Sequence, residues 1–272
     1  MGGNISDKLK TIATLRETKG KEQETLKLIS EFEEETQKSK NWKILVTLNW
    51  EKALVWQHIA MSEEAKETPD TSIILDAISK MEDYSLGADK LINKHDLEDK
   101  KATSHRFLGQ LYRYKRDYVK AEMEYTAGIS IFEGKQDVSA LELKGFLACT
   151  MVLNSKVDEG VALAIKTFEE FDTDPAAIKL MEEDYYKWAV WKSGIIPRLV
   201  KALWDNNIQF DKVRLDKYLQ ESESVITNPK VKVTWGDDKF KFRVDEIAKT
   251  RSVLEKLMAS VLAFVSAHLF RF

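Results

Sequence analysis

The sequence predicts an all-α chain of antiparallel helix pairs laid side by side, closed by a small β-hairpin and a long C-terminal helix. Three observations predict it. Apolar residues recur three and four positions apart along most of the 272 residues. Four prolines and eleven glycines are few, and 32% of residues are charged, which suits a helical chain with few tight turns. A group of small and apolar residues also returns after a constant shift. Leu108, Gly109, Tyr112, Ala121, Tyr125 and Gly128 are followed, 39 residues on, by Leu147, Ala148, Met151, Gly160, Ala164 and Thr167.

The elements follow in order. Residues 5–18 and 22–38 read as a first pair around Lys19-Gly20-Lys21, with Leu26, Ile29 and Phe32 on the inner face of its second helix. The acidic run Glu31, Glu33, Glu34 and Glu35 reads as a solvated face. Asn41 caps a long helix carrying Trp42, Leu45, Val46, Ala53, Trp56 and Ala60. Thr68-Pro69-Asp70 ends it and starts another, lined by Ile74, Ala77, Met81, Leu91 and Ile92. Residues 98–133 form the third pair, turning at Lys115-Arg116-Asp117, with Gly109 and Ala121 small enough for close helix approach. The shifted copy makes 138–172 the fourth pair. Its aromatic anchor is lost at Ala164, and Phe168 and Phe171 refill that layer. Asp174-Pro175 restarts the chain as N-cap and first helical residue, and 176–226 is the fifth pair, broken near Gly194 and Pro197.

Asn228-Pro229 reads as the end of the array, 1–227. Beyond it Val231, Val233 and Trp235, then Phe240, Phe242 and Val244, alternate with polar residues on either side of Gly236-Asp237-Asp238-Lys239. Period two around a turn cluster predicts a β-hairpin in 228–272. A helix from Asp245 closes the chain, with Leu254, Leu257, Met258, Val261, Leu262, Val265 and Leu269 inward. Packing on the array is one reading of its long apolar run, and a homodimer or partner contact is the rival.

The stretch from Ala102 to Glu133 resembles a tetratricopeptide (TPR) repeat. Leu108-Gly109, Tyr112, Ala121, Tyr125 and Gly128 stand at the family's spacings; His105 replaces its usual Trp, and Glu133 lies near its usual Pro. The resemblance implies a right-handed superhelix of helix pairs whose first helices line a concave groove for a peptide or protein. It places Lys43 and Trp50, then Arg106, Gln110, Arg113 and Tyr114, in that groove. Thr103 belongs with the best-pair residues Arg106 to Tyr114, while Lys40, Lys43, Thr47 and Trp50 come from the preceding pair under a weaker alignment, and the following pair offers Glu142, Gly145, Cys149 and Val152. A chaperone-tail clamp of the kind some TPR proteins carry fits poorly, because Thr47 replaces the required Asn and Phe107 and Glu142 do not match.

The net charge of −3 gives nucleic-acid binding no electrostatic support. The single cysteine, Cys149, excludes an intrachain disulfide and fits a reducing, cytoplasmic setting. The apolar run 257–270 is shorter than the roughly 20 residues a membrane-spanning helix needs. Met1-Gly2-Gly3-Asn4-Ile5-Ser6 fits the N-myristoylation pattern at Gly2, while Ser6 reads equally well as an N-cap. His58, His95, His105 and His268 share no ligand spacing, and no phosphate loop or nucleophile turn is present, so no metal, cofactor or catalytic residue is expected. Cys149 in its apolar run reads as an inert buried thiol, and the aromatics at 185–191 read as core. The expected function is a non-catalytic scaffold that binds a peptide or partner protein. Its alternatives are a regulatory sensor, whose curvature a small peptide changes, and an enzyme without a local motif.

Overall fold

The computed structural model describes residues 5–18, 20–208, 210–235 and 239–269, with side chains for all but Lys232, Trp235 and 256–269. The regular elements among the described residues are all helices, and helices adjacent in sequence pack as antiparallel pairs. The chain forms two compact units, Met1–Ile131 and Phe132–Phe272.

In the first unit α1 (Ile5–Arg16), α2 (Glu22–Lys38) and α3 (Trp42–Glu64) share a core of Ile12, Ile29, Phe32, Leu48 and Val55. Ser6 lies inside α1 rather than capping it. α4 (Thr71–Lys94) packs along α3 and then against α5 (Lys101–Tyr114), which pairs with α6 (Tyr118–Ser130). The caps read from the sequence are in place. Asn41 accepts the Ile44 N–H at 3.3 Å, and Asp70 accepts the Ser72 N–H at 2.8 Å. Two members of the acidic run reach across to neighbouring helices: Glu35 pairs with Lys8, and Glu33 with the buried Lys52.

The second unit holds α7 (Ser139–Leu153), α8 (Val157–Thr173), α9 (Pro175–Glu183), α10 (Tyr185–Ser193), α11 (Ile195–Asp205), α12 (Lys212–Thr227), α13 (Pro229–Trp235) and α14 (Lys241–Leu269). One core runs through it, from Leu141 and Phe168 to Val231, Phe240, Ile247 and Leu254. Asp174 caps α9 through the Ala176 and Ala177 N–H groups, with Pro175 in the first turn, as the sequence predicts. Gly194 separates α10 from α11. Asp184 adds a break that hydrophobic spacing does not signal: it accepts the Lys187 N–H at 3.0 Å and so starts α10.

The two hairpins related by the 39-residue shift are built alike, each within its own unit. In α5–α6 the Tyr125 ring, with no exposure, lies directly on Gly109. A Cβ on Gly109 would sit 2.6–2.8 Å from three atoms of that ring. In α7–α8 the small residue has changed sides. A Cβ on Gly160 would sit 2.6 Å from the Ala148 carbonyl oxygen. Phe168 and Phe171 are buried beside Ala164, so the expected aromatic replacement is present.

Their corners match as well. Arg116 and Ser155, also 39 apart, take left-handed φ values of 58° and 65°. The N–H of the next residue then donates to the carbonyl five residues back, Asp117 to Tyr112 at 2.9 Å and Lys156 to Met151 at 2.8 Å. This double-bonded helix ending satisfies carbonyls that the last turn leaves open. The five-back bond recurs at Lys40, Asp96 and Asn207, which are also left-handed, where Asn41, Leu97 and Ile208 donate to Thr36, Ile92 and Leu203.

The expected β-hairpin is not present among the described residues, and its arms are helical. Asn228 caps α13, its side-chain oxygen accepting the Val231 N–H at 3.1 Å, and Pro229 takes the first helical position. In the second arm Phe240, Arg243, Val244, Ile247, Thr250 and Leu254 are buried or half-buried at helical spacing, while Phe242 is 45% exposed. This longer 3.6-residue period overrides the short alternation. The turn residues 236–238 and the inward positions expected beyond Leu254 lie outside the described residues or side chains, as does the acylation pattern's Gly2.

Candidate functional site

The sequence-predicted groove residues lie on the first unit's α3 and α5. Trp50 packs flat on Phe107, with ring centroids 5.3 Å apart and planes 1° from parallel. One residue before Phe107, Arg106 carries its guanidinium 5.2 Å from the same ring. Gln110, one turn further along α5, is buried. Its Oε1 and the Nε1 of Trp50 have no hydrogen-bond partner among the described residues. The structure therefore brings Trp50, Arg106 and Gln110 together around Phe107. The sequence names Phe107 only as a mismatch to the chaperone-tail clamp.

Lys43 sits apart from that cluster, at the start of α3. Its ammonium pairs with Asp99 at 3.0 Å, and this pairing holds the Asp99 carboxyl below its ordinary range. Both partners are more than half exposed, so the pair adds little stability. Arg113 and Tyr114 end α5 and are half-buried. Burial raises the Tyr114 hydroxyl's pKa against a smaller opposing effect of Arg113, so the phenol is neutral at physiological pH. On the opposite side of α5, His105 Nδ1 meets Glu124 at 2.7 Å on α6. His105, at the family's Trp position, thus joins the two helices of its hairpin.

Other reactive-looking groups are structural. Cys149 is buried 4.0 Å from the Ile195 carbonyl oxygen. Trp188 is buried and donates to the Phe171 carbonyl at 3.1 Å, and Tyr185 donates to the Val225 carbonyl at 2.7 Å. The aromatics at 185–191 thus tie α10 to α8 and α12. The second unit also has an open cleft of about 470 Å³ between α8, α11 and the start of α12, with Val161, Ile165, Leu203 and Phe210 beside Lys166 and Arg214. No group of three or more His, Cys, Asp or Glu able to hold a metal ion occurs among the described residues. No helix among them is long and apolar enough to cross a membrane.

A scan of protein-family models finds no match to the chain, and a search of curated proteins finds no relative.

Proposed function

We propose that this is a TPR-like interaction protein, without a reactive centre of its own, that holds an extended peptide or a partner's segment against α3 and α5. The observation that carries the reading is the shared construction of α5–α6 and α7–α8: the same shift, the same left-handed corner and a glycine at the close approach of each pair's two helices. In arrays of such hairpins the first helix of each pair lines the concave, ligand-holding surface. Here that helix carries a flat aromatic stack, Trp50 on Phe107, with Arg106 above it and Arg113 two turns on. The stack itself is buried, Trp50 and Phe107 each being 6% exposed, so it is a floor that carries Arg106 and not a contact face. Guanidiniums beside it pair with ligand carboxylates in a fork that lysine cannot match. The class of ligand is therefore an acidic peptide segment.

The test uses the full chain as bait in lysate of its own cell, with bound proteins identified by mass spectrometry. The double variant Arg106→Glu with Arg113→Glu is expected to lose the partner that wild type retains, at unchanged helicity. Retention of the same partners by both proteins refutes the assignment.

A further inference from the structure

The longest helix pair of the first unit outruns its neighbour. α3 and α4 have 23 and 24 residues, whereas α5 and α6 have 14 and 13. Two side-chain contacts mark where α5 stops. Tyr114, its last residue, hydrogen-bonds with the Gln57 side chain on α3. Lys115, at its C-cap, pairs with Glu82 on α4 at 2.7 Å. α3 runs on from Gln57 to Glu64, and α4 begins at Thr71, eleven residues before Glu82. At about 1.5 Å per residue, the two helices reach about 10 and 16 Å past the α5 corner.

The faces that α3 and α4 turn to α5 continue along this overhang. Residues three, four and seven apart share a helix face. Met61 stands one turn past Gln57, and Ile78 and Leu75 stand one and two turns before Glu82. Asn49 lies beside Gly87, and the Lys52 ammonium lies 5.1 Å from the Tyr84 ring, so the antiparallel register sets Met61 level with Leu75. Met61 is 49% exposed and Leu75 61%, and Ile78 is half-buried. Under α5 the same two helices hold Met81, Trp56 and Leu86 against Leu108, Leu111 and Tyr114. Past Tyr114 the apolar seat goes on although α5 has ended.

The charge at this end is one-sided. Residues 61–80 carry five acidic side chains, Glu63, Glu64, Glu67, Asp70 and Asp76, against Lys66 and Lys80. Lys66 is taken by Glu63, and Asp70 caps α4. Glu64 lies one turn past Met61 on the same face, and Glu67 lies in the connection to α4. We propose that Met61, Leu75 and Ile78, with Glu64 and Glu67 at their outer end, are a docking seat for a basic amphipathic helix of a partner protein, laid end to end with α5. The apolar stripe of that helix covers Met61 and Leu75, as helical anchors do in a hydrophobic groove. Lysines or arginines at its outer end meet the carboxylates, and their stems cover further apolar surface. The seat takes a ligand of opposite charge to the acidic peptide proposed for Arg106 and Arg113, and its failure would leave that reading intact.

The test is nuclear magnetic resonance of the Met61 and Leu75 methyl groups in the full-length protein. The probes are a synthetic amphipathic helix of leucine, alanine and lysine and its counterpart with glutamate in place of lysine. Wild type should show saturable shifts at both residues, with the lysine peptide bound at least about tenfold more tightly than the glutamate one. Met61→Gln with Leu75→Gln keeps the charge and the helix propensity, and should weaken the lysine peptide at least about tenfold at unchanged circular dichroism. Glu64→Gln with Glu67→Gln should erase most of the preference for lysine. Shifts at Met61 and Leu75 that grow with protein concentration alone assign the seat to a second copy and overturn the proposal. So does the absence of a saturable shift with the lysine peptide, equal affinity for the two peptides, or undiminished affinity in Met61→Gln with Leu75→Gln.

Discussion

Replacing three helical glycines by alanine, one at a time, tests the close helix contacts against simple helix propensity. Alanine in a helix interior is better than glycine by about 0.5–1 kcal/mol, so without tertiary contacts all three changes should stabilise. The structure separates them. At Gly87 the nearest atom to a new Cβ is Asn49 Oδ1 at 3.5 Å, an ordinary contact. Gly87→Ala should therefore gain the full amount. At Gly109 the Cβ would press on Tyr125 ring atoms at 2.6–2.8 Å, and that ring has no exposure and so little room to turn. Overpacking of this kind costs about 1–3 kcal/mol, leaving Gly109→Ala roughly 0–2 kcal/mol less stable after the propensity gain. At Gly160 the obstruction is backbone, the Ala148 carbonyl at 2.6 Å and the Val152 nitrogen at 2.9 Å. Helices must move apart, so Gly160→Ala should lose most, on the order of 2 kcal/mol. Urea denaturation followed by far-ultraviolet circular dichroism measures each midpoint. Combining Gly109→Ala with Tyr125→Leu should remove most of the penalty, a coupling that the double-mutant cycle reads directly. Equal stabilisation by all three alanines would refute the contacts.

Other outcomes follow from the same geometry. Arg116→Gly and Ser155→Gly should each stabilise, because a left-handed non-glycine residue costs about 1–2 kcal/mol and glycine returns only part of that as chain entropy; a loss in urea midpoint would contradict the corner geometry. Asn228→Ala removes the α13 cap and the side-chain amide's bond to Tyr185 at 3.0 Å, and should cost roughly 1–2 kcal/mol. Four first-unit carboxyls are held below their ordinary range: Glu63 chiefly by Lys66, Asp70 by the Ser72 hydroxyl, Asp99 by Lys43 and Asp117 by Lys120. A carboxyl depressed in the folded state stabilises fully above its unfolded pKa, about 4, and loses that contribution as pH falls through the folded value. Unfolding free energy should therefore drop below pH about 4.5, and Glu63→Gln with Asp70→Asn should make the drop shallower. An unchanged acid slope in that variant would remove those two groups from the account.

The hairpins were legible because their information is local. Small residues at Gly109 and Gly160 and the spacing of Tyr125 and Phe168 are sequence features, and the structure uses them as contacts. The shared corner was less legible. Glycine usually marks a left-handed helix end, but here Lys40, Asp96, Arg116, Ser155 and Asn207 hold it, with hydrogen bonds rather than a missing side chain enforcing the angle. The same dipeptide chemistry was read correctly at one place and wrongly at another. Asp174-Pro175 and Asn228-Pro229 are both an N-cap followed by a first-turn proline. The second was masked by six residues of alternating pattern, a stretch too short to outweigh a buried helical stripe running from Phe240 to Leu254.

The candidate sites divide along the same line. Lys43, Trp50, Arg106, Gln110, Arg113 and Tyr114 could be named from the sequence because they sit at fixed offsets on two helices, and a helix projects its offsets into space. What the offsets could not convey is depth: Trp50 and Gln110 are buried, Arg106 and Arg113 half-buried, and Lys43 is exposed and tied to Asp99. The contact of Arg243 with the Val190 carbonyl had no such signal. Arg243 belongs to a stretch that alternation assigned to a strand. As a strand residue it would have no reason to approach Val190. Only when Phe240, Arg243 and Ile247 are placed on one face of a helix does the guanidinium reach the start of α11. The Arg243–Val190 contact and the misread hairpin are thus consequences of one local fact, the helical period of the residues after Lys239.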